Sequence, residues 1–301
     1  MKLRNISIIL LMAWGLFSSC VPEDRDNCHN YYVVDLSYVG NNGIKNILKE
    51  KISKLHMYIF DSECKCVSST DLTYAEITAC QANLPALCEG DYKIVLLGNA
   101  HKTYVSSLDS ADFSKILFTA EDYVDGKKVS GNDSLYFASA GLKIEPYNKK
   151  RPVTYQTISL NSAHYDVTVE VTGVPPVPQG GSYPKIRIEG LSPYTDFTQT
   201  VSGKPTTYEL KTRYDGIDKL TASCNIMRHL NHEDVFLKIY SPAGEELAAV
   251  NFAAFITQNR NYIDCSQQEV LIPFKIEFKS NAGVSVTLPD WIVHEDVKPE
   301  Y

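Results

Sequence analysis

Tyr165-Asp166-Val167-Thr168-Val169-Glu170-Val171 decides how this chain folds. Successive side chains of an extended backbone point to opposite faces, so Tyr165, Val167, Val169 and Val171 share one face and Asp166, Thr168 and Glu170 the other. The stretch predicts a half-buried β-strand. Short runs of the same kind follow at Lys185-Ile186-Arg187-Ile188, Leu220 to Ile226, Val235 to Tyr240, and Phe274, Ile276 and Phe278. Turn formers separate them at Tyr214-Asp215-Gly216 and Pro242-Ala243-Gly244. Gly173 to Gly181 reads as a loop, because its prolines lack the donor a sheet requires.

Towards the N-terminus, Tyr31 to Val39 is rich in β-branched and aromatic residues and closes on Gly40-Asn41-Asn42-Gly43, a strand and a turn. Ile44, Ile47, Leu48 and Ile52 recur at helical spacing, which fits a short helix or a loop. Lys54 to Phe60 reads as a strand, and the nearly continuous apolar stretch in Tyr92 to Asn99 reads as a central strand buried on both faces. Residues 101–134 are mixed, with a helical turn around Ala111 to Phe118. Many short strands with little helix define an all-β chain, a sandwich or barrel. A composition shift at Lys149-Lys150-Arg151-Pro152 divides it into two tandem sandwiches, 31–152 and 153–301. The tail Leu288 to His294 reads as a closing strand with Trp291 packed inside, or as a partner-binding segment.

Ahead of the first strand, Lys2 and Arg4 precede an apolar run from Ile6 to Phe17 that is shorter than the ~20 residues needed to span a bilayer. It reads as a cleaved secretory signal over residues 1–19. Ser18-Ser19-Cys20 resembles a bacterial lipobox, which makes Cys20 the first mature residue, carrying diacylglycerol on sulfur and an acyl chain on nitrogen. Residues 20–30 form an acidic tether, and Glu23-Asp24 resembles the signal that routes lipoproteins to the surface of a Gram-negative outer membrane.

The chain has a net charge of −7 over 301 residues, and loss of Lys2 and Arg4 leaves it more acidic. That argues against nucleic acid and against docking on anionic lipid through a basic patch. Eight cysteines are present, an odd number once Cys20 is set aside. Outside the cytoplasm thiols tend to oxidise. Proximity makes Cys80 with Cys88, and Cys28 with Cys64 or Cys66, the candidate disulfides. Cys64-Lys65-Cys66 is too closely spaced for a zinc knuckle.

No nucleophile elbow, P-loop or dinucleotide fingerprint occurs. Arg228-His229-Leu230-Asn231-His232-Glu233-Asp234 lacks metal-ligand spacing and reads as a polar hairpin tip; Glu121 to Gly126 lacks the alternating order of a calcium loop. No catalytic residue, metal or cofactor is expected. Asp109-Ser110-Ala111 and Asp133-Ser134-Leu135 resemble O-glycosylation triplets of exported bacterial proteins.

Taken in order, Cys20, then Pro22-Glu23-Asp24-Arg25-Asp26-Asn27-Cys28, a strand ending Ile59-Phe60-Asp61, the Leu84-Pro85 approach to a core strand ending Gly98-Asn99, and a second alternating half resemble the anchor subunits of type V fimbriae, the fimbrillin-A-associated anchor family. The resemblance implies two transthyretin-like β-sandwiches. It also implies a lipid-held outer-membrane protein that fixes the base of a fimbria and caps the polymer by strand-mediated contact with a shaft subunit. Alternatives are a surface glycan-binding lipoprotein, or a shaft or tip subunit of the same superfamily. Arg25 lies too close to Cys20 to release a strand by proteolysis, which favours the anchor.

Overall fold

The computed structural model describes residues 31–147, 153–174, 181–228, 232–279 and 283–293. Strands dominate, as the sequence requires. In the first half they are β1 (Tyr31–Ser37), β2 (Leu55–Phe60), β3 (Cys66–Asp71), β4 (Gln81–Asn83), β5 (Gly90–Gly98), β6 (Thr103–Ser106), β7 (Leu117–Ala120) and β8 (Tyr136–Ile144). β9 (Val153–Ser159), β10 (Asn161–Ser162), β11 (His164–Thr172), β12 (Lys185–Leu191), β13 (Tyr194–Asp196), β14 (Val201–Ser202) and β15 (Thr206–Glu209) follow. β16 (Thr212–Tyr214), β17 (Leu220–Met227), β18 (Phe236–Tyr240), β19 (Glu246–Asn251), β20 (Leu271–Phe278) and β21 (Val284–Thr287) complete the set. Short helices interrupt them: α1 (Leu48–Lys51), α2 (Tyr74–Ala79), α3 (Glu121–Val124), α4 (Phe252–Gln258) and α5 (Asp290–Val293).

A central sheet of order β10-β8-β5-β2-β3 organises the first lobe. Its inner face, with Met57, Ile59, Ile94, Leu96 and Leu142, packs on a three-stranded sheet of order β4-β1-β9 through Val34, Leu36 and Ile158. Its opposite face presents Tyr58, Phe60, Val95, Leu97 and Phe137 to Phe118 and Phe197. Both faces of β5 are therefore covered, and Ile94 to Leu97 have zero exposure, which is why that strand reads as an unbroken apolar run rather than an alternating one.

The second lobe is a sandwich. One sheet has the order β16-β17-β11-β20-β21 and the other β15-β12-β18-β19. Tyr165, Val167, Val169 and Val171 face inward and meet Ile186, Ile188, Leu237 and Ile239, with Phe252 and Phe255 of α4 closing one side. Asp166, Thr168 and Glu170 stay on the outer face, where their cross-strand partners are Asn225, Ser223 and Thr221.

The boundary at residue 152 is corrected by the pairing. β9 lies parallel to β1 from Tyr31↔Val153 to Ser37↔Ser159, and β10 pairs with β8, so residues 153–162 belong to the first lobe. A fifth sheet, β14-β13-β7-β6, joins the lobes: β13 of the second half pairs with β7 of the first, Thr195↔Phe118.

Candidate functional site

Two surfaces stand out, one on each lobe. The first is a seam in the first lobe. β8 pairs with β10 only at Tyr136 and Phe137, so the outer edge from Ala138 to Ile144 has no strand partner among the described residues. Among the described residues β9 pairs with β1 on one side only and is likewise an edge. Gln156 Nε2 bridges the two edges by donating to the Gly141 carbonyl at 2.7 Å, and Tyr32 Oη accepts from Glu145 N–H at 2.9 Å. Proteins normally blunt edge strands with charge, proline or bulges. β9, Val-Thr-Tyr-Gln-Thr-Ile-Ser, carries none of these. Its outward Val153 and Tyr155 lie beside Tyr31 of β1, and the three are 41%, 62% and 72% exposed. The seam thus combines unpaired backbone with an exposed apolar and aromatic face.

The second surface is a groove over the outer face of the β16-β17-β11-β20-β21 sheet. It consists of two adjoining cavities of about 640 Å³ and 350 Å³ that share Thr168, Lys211 and Ser223. The wider end is walled by residues 130–133 of the first half. There Asp133 is fixed as an acceptor for His101 N–H (2.9 Å), Lys102 N–H (2.6 Å) and Thr103 Oγ1 (2.7 Å). Gly131 comes so close to β17 that an added Cβ would lie 3.0 Å from Cys224 Cβ. Asn225, oriented with its amide donating to Asp166 Oδ1 at 2.7 Å, accepts from Ser134 N–H at 3.1 Å. The narrower end is bounded by Pro289 and Trp291.

Trp291 departs from the closing-strand reading. Residues 290–293 form α5, held by an ion pair between Lys275 and Asp290 at 2.7 Å and by packing of Ile292 on the core. The indole is 50% exposed. Nearby Lys211 and Arg213 are exposed and make no ion pair among the described residues, whereas Glu170 is paired with Lys219 at 2.7 Å.

Of the expected disulfides, Cys80 and Cys88 are not joined to each other, and the pairing of Cys28 with Cys64 or Cys66 involves a residue outside the described ones. Cys64, Cys66, Cys80 and Cys88 are free thiols in the structure. Cys80 is the left-handed C-cap of α2 (φ 54°), while Cys88 is exposed in the loop before β5. Nearness in sequence does not aim two Cβ atoms at each other. Cys20 and Cys28 lie outside the described residues, as do His229 to Asn231. The rest of the Arg228 to Asp234 run is a polar tip only in part: Glu233 and Asp234 are exposed in a turn, but His232 is buried between Tyr165 and Phe252, with ring centroids 5.5 and 6.5 Å away. Glu121 to Val124 forms α3. No group of metal-ligating side chains occurs among the described residues, and no described helix is long and apolar enough to cross a membrane.

Sequence reasoning missed the seam because it needs a pairing map; its one local signal was the uncharged, β-prone run after Pro152. Lys211 and Arg213 carried no signal, since a cation's lack of a partner is a spatial fact.

A search of curated protein sequences finds no match. Among solved structures, the fold is similar to the fimbrial anchor protein Mfa2 from Porphyromonas gingivalis, at 17% identity and a TM-score of 0.67, covering 86% of this chain and 96% of that one. A candidate adhesin from Bacteroides ovatus has 14% identity and a TM-score of 0.67, covering 87% and 94%. A candidate polysaccharide-binding protein from Bacteroides thetaiotaomicron has 13% identity and a TM-score of 0.66, covering 86% and 96%. At these identities the likeness establishes the fold. The family model of the fimbrillin-A associated anchor proteins Mfa1 and Mfa2 matches residues 25–297. The chain therefore belongs to the fimbrillin-A associated anchor proteins, a family of fimbria-associated surface proteins.

Proposed function

We propose that this protein holds the base of a fimbria on the outer membrane through lipid on Cys20, and that it ends the polymer by accepting an extended strand of the shaft subunit in the β8/β9 seam. The observation that carries the reading is the seam itself. An incoming strand gains main-chain hydrogen bonds along an open edge, and alternate side chains settle on the face carrying Tyr31, Val153 and Tyr155. Family membership supports the setting. A lipidated N-terminus at one end of the chain keeps the protein terminal, since a polymer cannot grow past a subunit fixed in the membrane.

The test is made in the producing cell. The gene is deleted and restored as wild type, as Cys20→Ala, or as a Tyr155→Lys/Thr157→Lys double variant that places charge on the edge. Cys20→Ala is expected to release fibres into the medium. The double variant is expected to leave the protein in the membrane fraction while fibres are shed. Fibres that stay attached in both strains contradict the proposal.

A further inference from the structure

We infer that the groove on the second lobe binds an acidic oligosaccharide, one whose sugar rings carry carboxylates. The surface is distinct from the seam, so failure of either assignment leaves the other standing. The floor of the groove is the outer face of β11 and β17, both interior strands with neighbours on each side. Their main-chain groups are already committed to the sheet, which removes strand addition as a mode of recognition there. What remains at the narrower end is side-chain chemistry: hydroxyls of Thr168, Thr221 and Ser223, the cations of Lys211 and Arg213, and Glu170, whose charge Lys219 already pairs at 2.7 Å.

That combination matches a charged sugar. Ring hydroxyls of a saccharide both donate and accept, as the Thr and Ser hydroxyls do. The apolar C–H face of a pyranose requires a flat aromatic partner, and Trp291 offers half its surface at the narrow end, on a helix pinned by the Lys275–Asp290 ion pair. Among the described residues Lys211 and Arg213 are exposed and make no ion pair, so a ligand carboxylate can complete them; Arg213 provides the planar fork suited to it. The narrower cavity, about 350 Å³ and in the usual range for ligand sites, takes the carboxylate-bearing ring; the wider one, about 640 Å³ and lined by Asp122, Asp133 and Asp166 as well as Lys102, takes the hydroxyls of the rings beyond it.

The experiment is calorimetric titration of the full-length protein, in detergent, with an oligomer of galacturonate, its methyl-esterified neutral form, and an oligoglutamate peptide of equal length. Saturable binding of galacturonate is expected, with the neutral form and the Lys211→Ala/Arg213→Ala variant weaker by roughly tenfold or more, the scale of a lost charge-assisted hydrogen bond. Trp291→Ala should abolish binding, whereas Trp291→Phe should retain it, because a phenyl ring preserves the stacking face. Thermal midpoints equal to wild type confirm that these exposed substitutions leave the fold intact. Absence of saturable binding, unchanged affinity in Trp291→Ala, or oligoglutamate binding as tightly as galacturonate would each overturn the assignment, the last by making the groove a site for acidic peptide.

Discussion

Cys224 faces Val167 across β17 and β11, and burial pushes its thiol up to about 12, with the Asp166 carboxylate adding to the shift. Burial likewise raises Cys66 and Cys265, so neither is a ready thiolate at neutral pH. Cys88 is exposed. Maleimide labelling near neutral pH is therefore expected to modify Cys88 first and Cys224 only on unfolding, and mass spectrometry of peptides over time reads the order; equal rates would contradict it. The buried histidines carry a second consequence. Desolvation holds His164 below the usual histidine range; its Nδ1 contact with the Leu135 carbonyl at 2.8 Å and the carboxylates of Asp166 and Glu269 pull the other way, and Arg228 reinforces the lowering. Desolvation also lowers His232. Above about pH 6.5 both are neutral in folded and unfolded chains. As the pH falls below that, the unfolded chain takes up protons that the folded one refuses, so stability declines until the folded values are reached. Urea midpoints should drop between pH 7 and 5, and His232→Phe should flatten the slope. A midpoint that rises on acidification would refute the account.

At the scale of elements, two local devices can be tested by substitution. Gly190 sits at φ +89° where β12 shifts register, and an added Cβ would fall 1.9 Å from the Asp234 carbonyl oxygen. Gly190→Ala combines a left-handed backbone with a clash against main chain, and should cost more than about 3 kcal/mol in urea unfolding. Thr73 and Glu76 form a capping box on α2: Thr73 Oγ1 accepts from Glu76 N–H at 3.3 Å, and Glu76 Oε2 accepts from Thr73 N–H at 2.8 Å. Thr73→Ala should cost about 1 kcal/mol. The legibility of elements followed their burial. β11 and β5 announced themselves because one has a solvated face and the other has none. β9 did not, because only Ile158 of its residues is buried. α4 escaped notice too, although Asn251 caps it by accepting from Ala254 N–H at 2.9 Å.

For the whole molecule the decisive feature is how firmly the lobes are stitched. β13 pairs with β7, Phe197 enters the aromatic cluster of Tyr58, Phe60, Phe118 and Phe137, and Asn132 N–H reaches the Asn225 carbonyl at 2.8 Å. Arg228 stacks on Tyr165 with its guanidinium carbon 4.8 Å from the ring centroid, and donates to the carbonyls of Cys265, Gln267 and Gln268 at 3.2, 2.8 and 2.7 Å. The same loop grips the first lobe, where Asn41 and Glu269 exchange hydrogen bonds of 2.9 and 2.8 Å and Lys51 pairs with Glu269 at 2.7 Å. Calorimetry is expected to show a single cooperative transition, with Arg228→Ala lowering stability by about 3 kcal/mol through lost packing and unsatisfied carbonyls. Two separated transitions in the wild type would show that the lobes act independently.

The sequence by itself determined the all-β class, the inward face of β11 and the doubly covered β5, since each depends on an alternation or a continuous run within a few residues. It also carried the resemblance that the family match bears out. Tertiary structure alone decided which strands are edges, where the first lobe ends, and which cations lack partners. The transfer of β9 and β10 to the first lobe rests on pairing with β1 and β8, the former about 120 residues away in sequence. Trp291 shows the same division: its apolar ring suggested burial, but the pinning of α5 by Asp290 and Ile292 uses neighbouring side chains for the core and leaves the indole at the rim of the groove. Periodicity states which side of a strand is apolar. Only the assembled sheets state what, if anything, covers each edge and face.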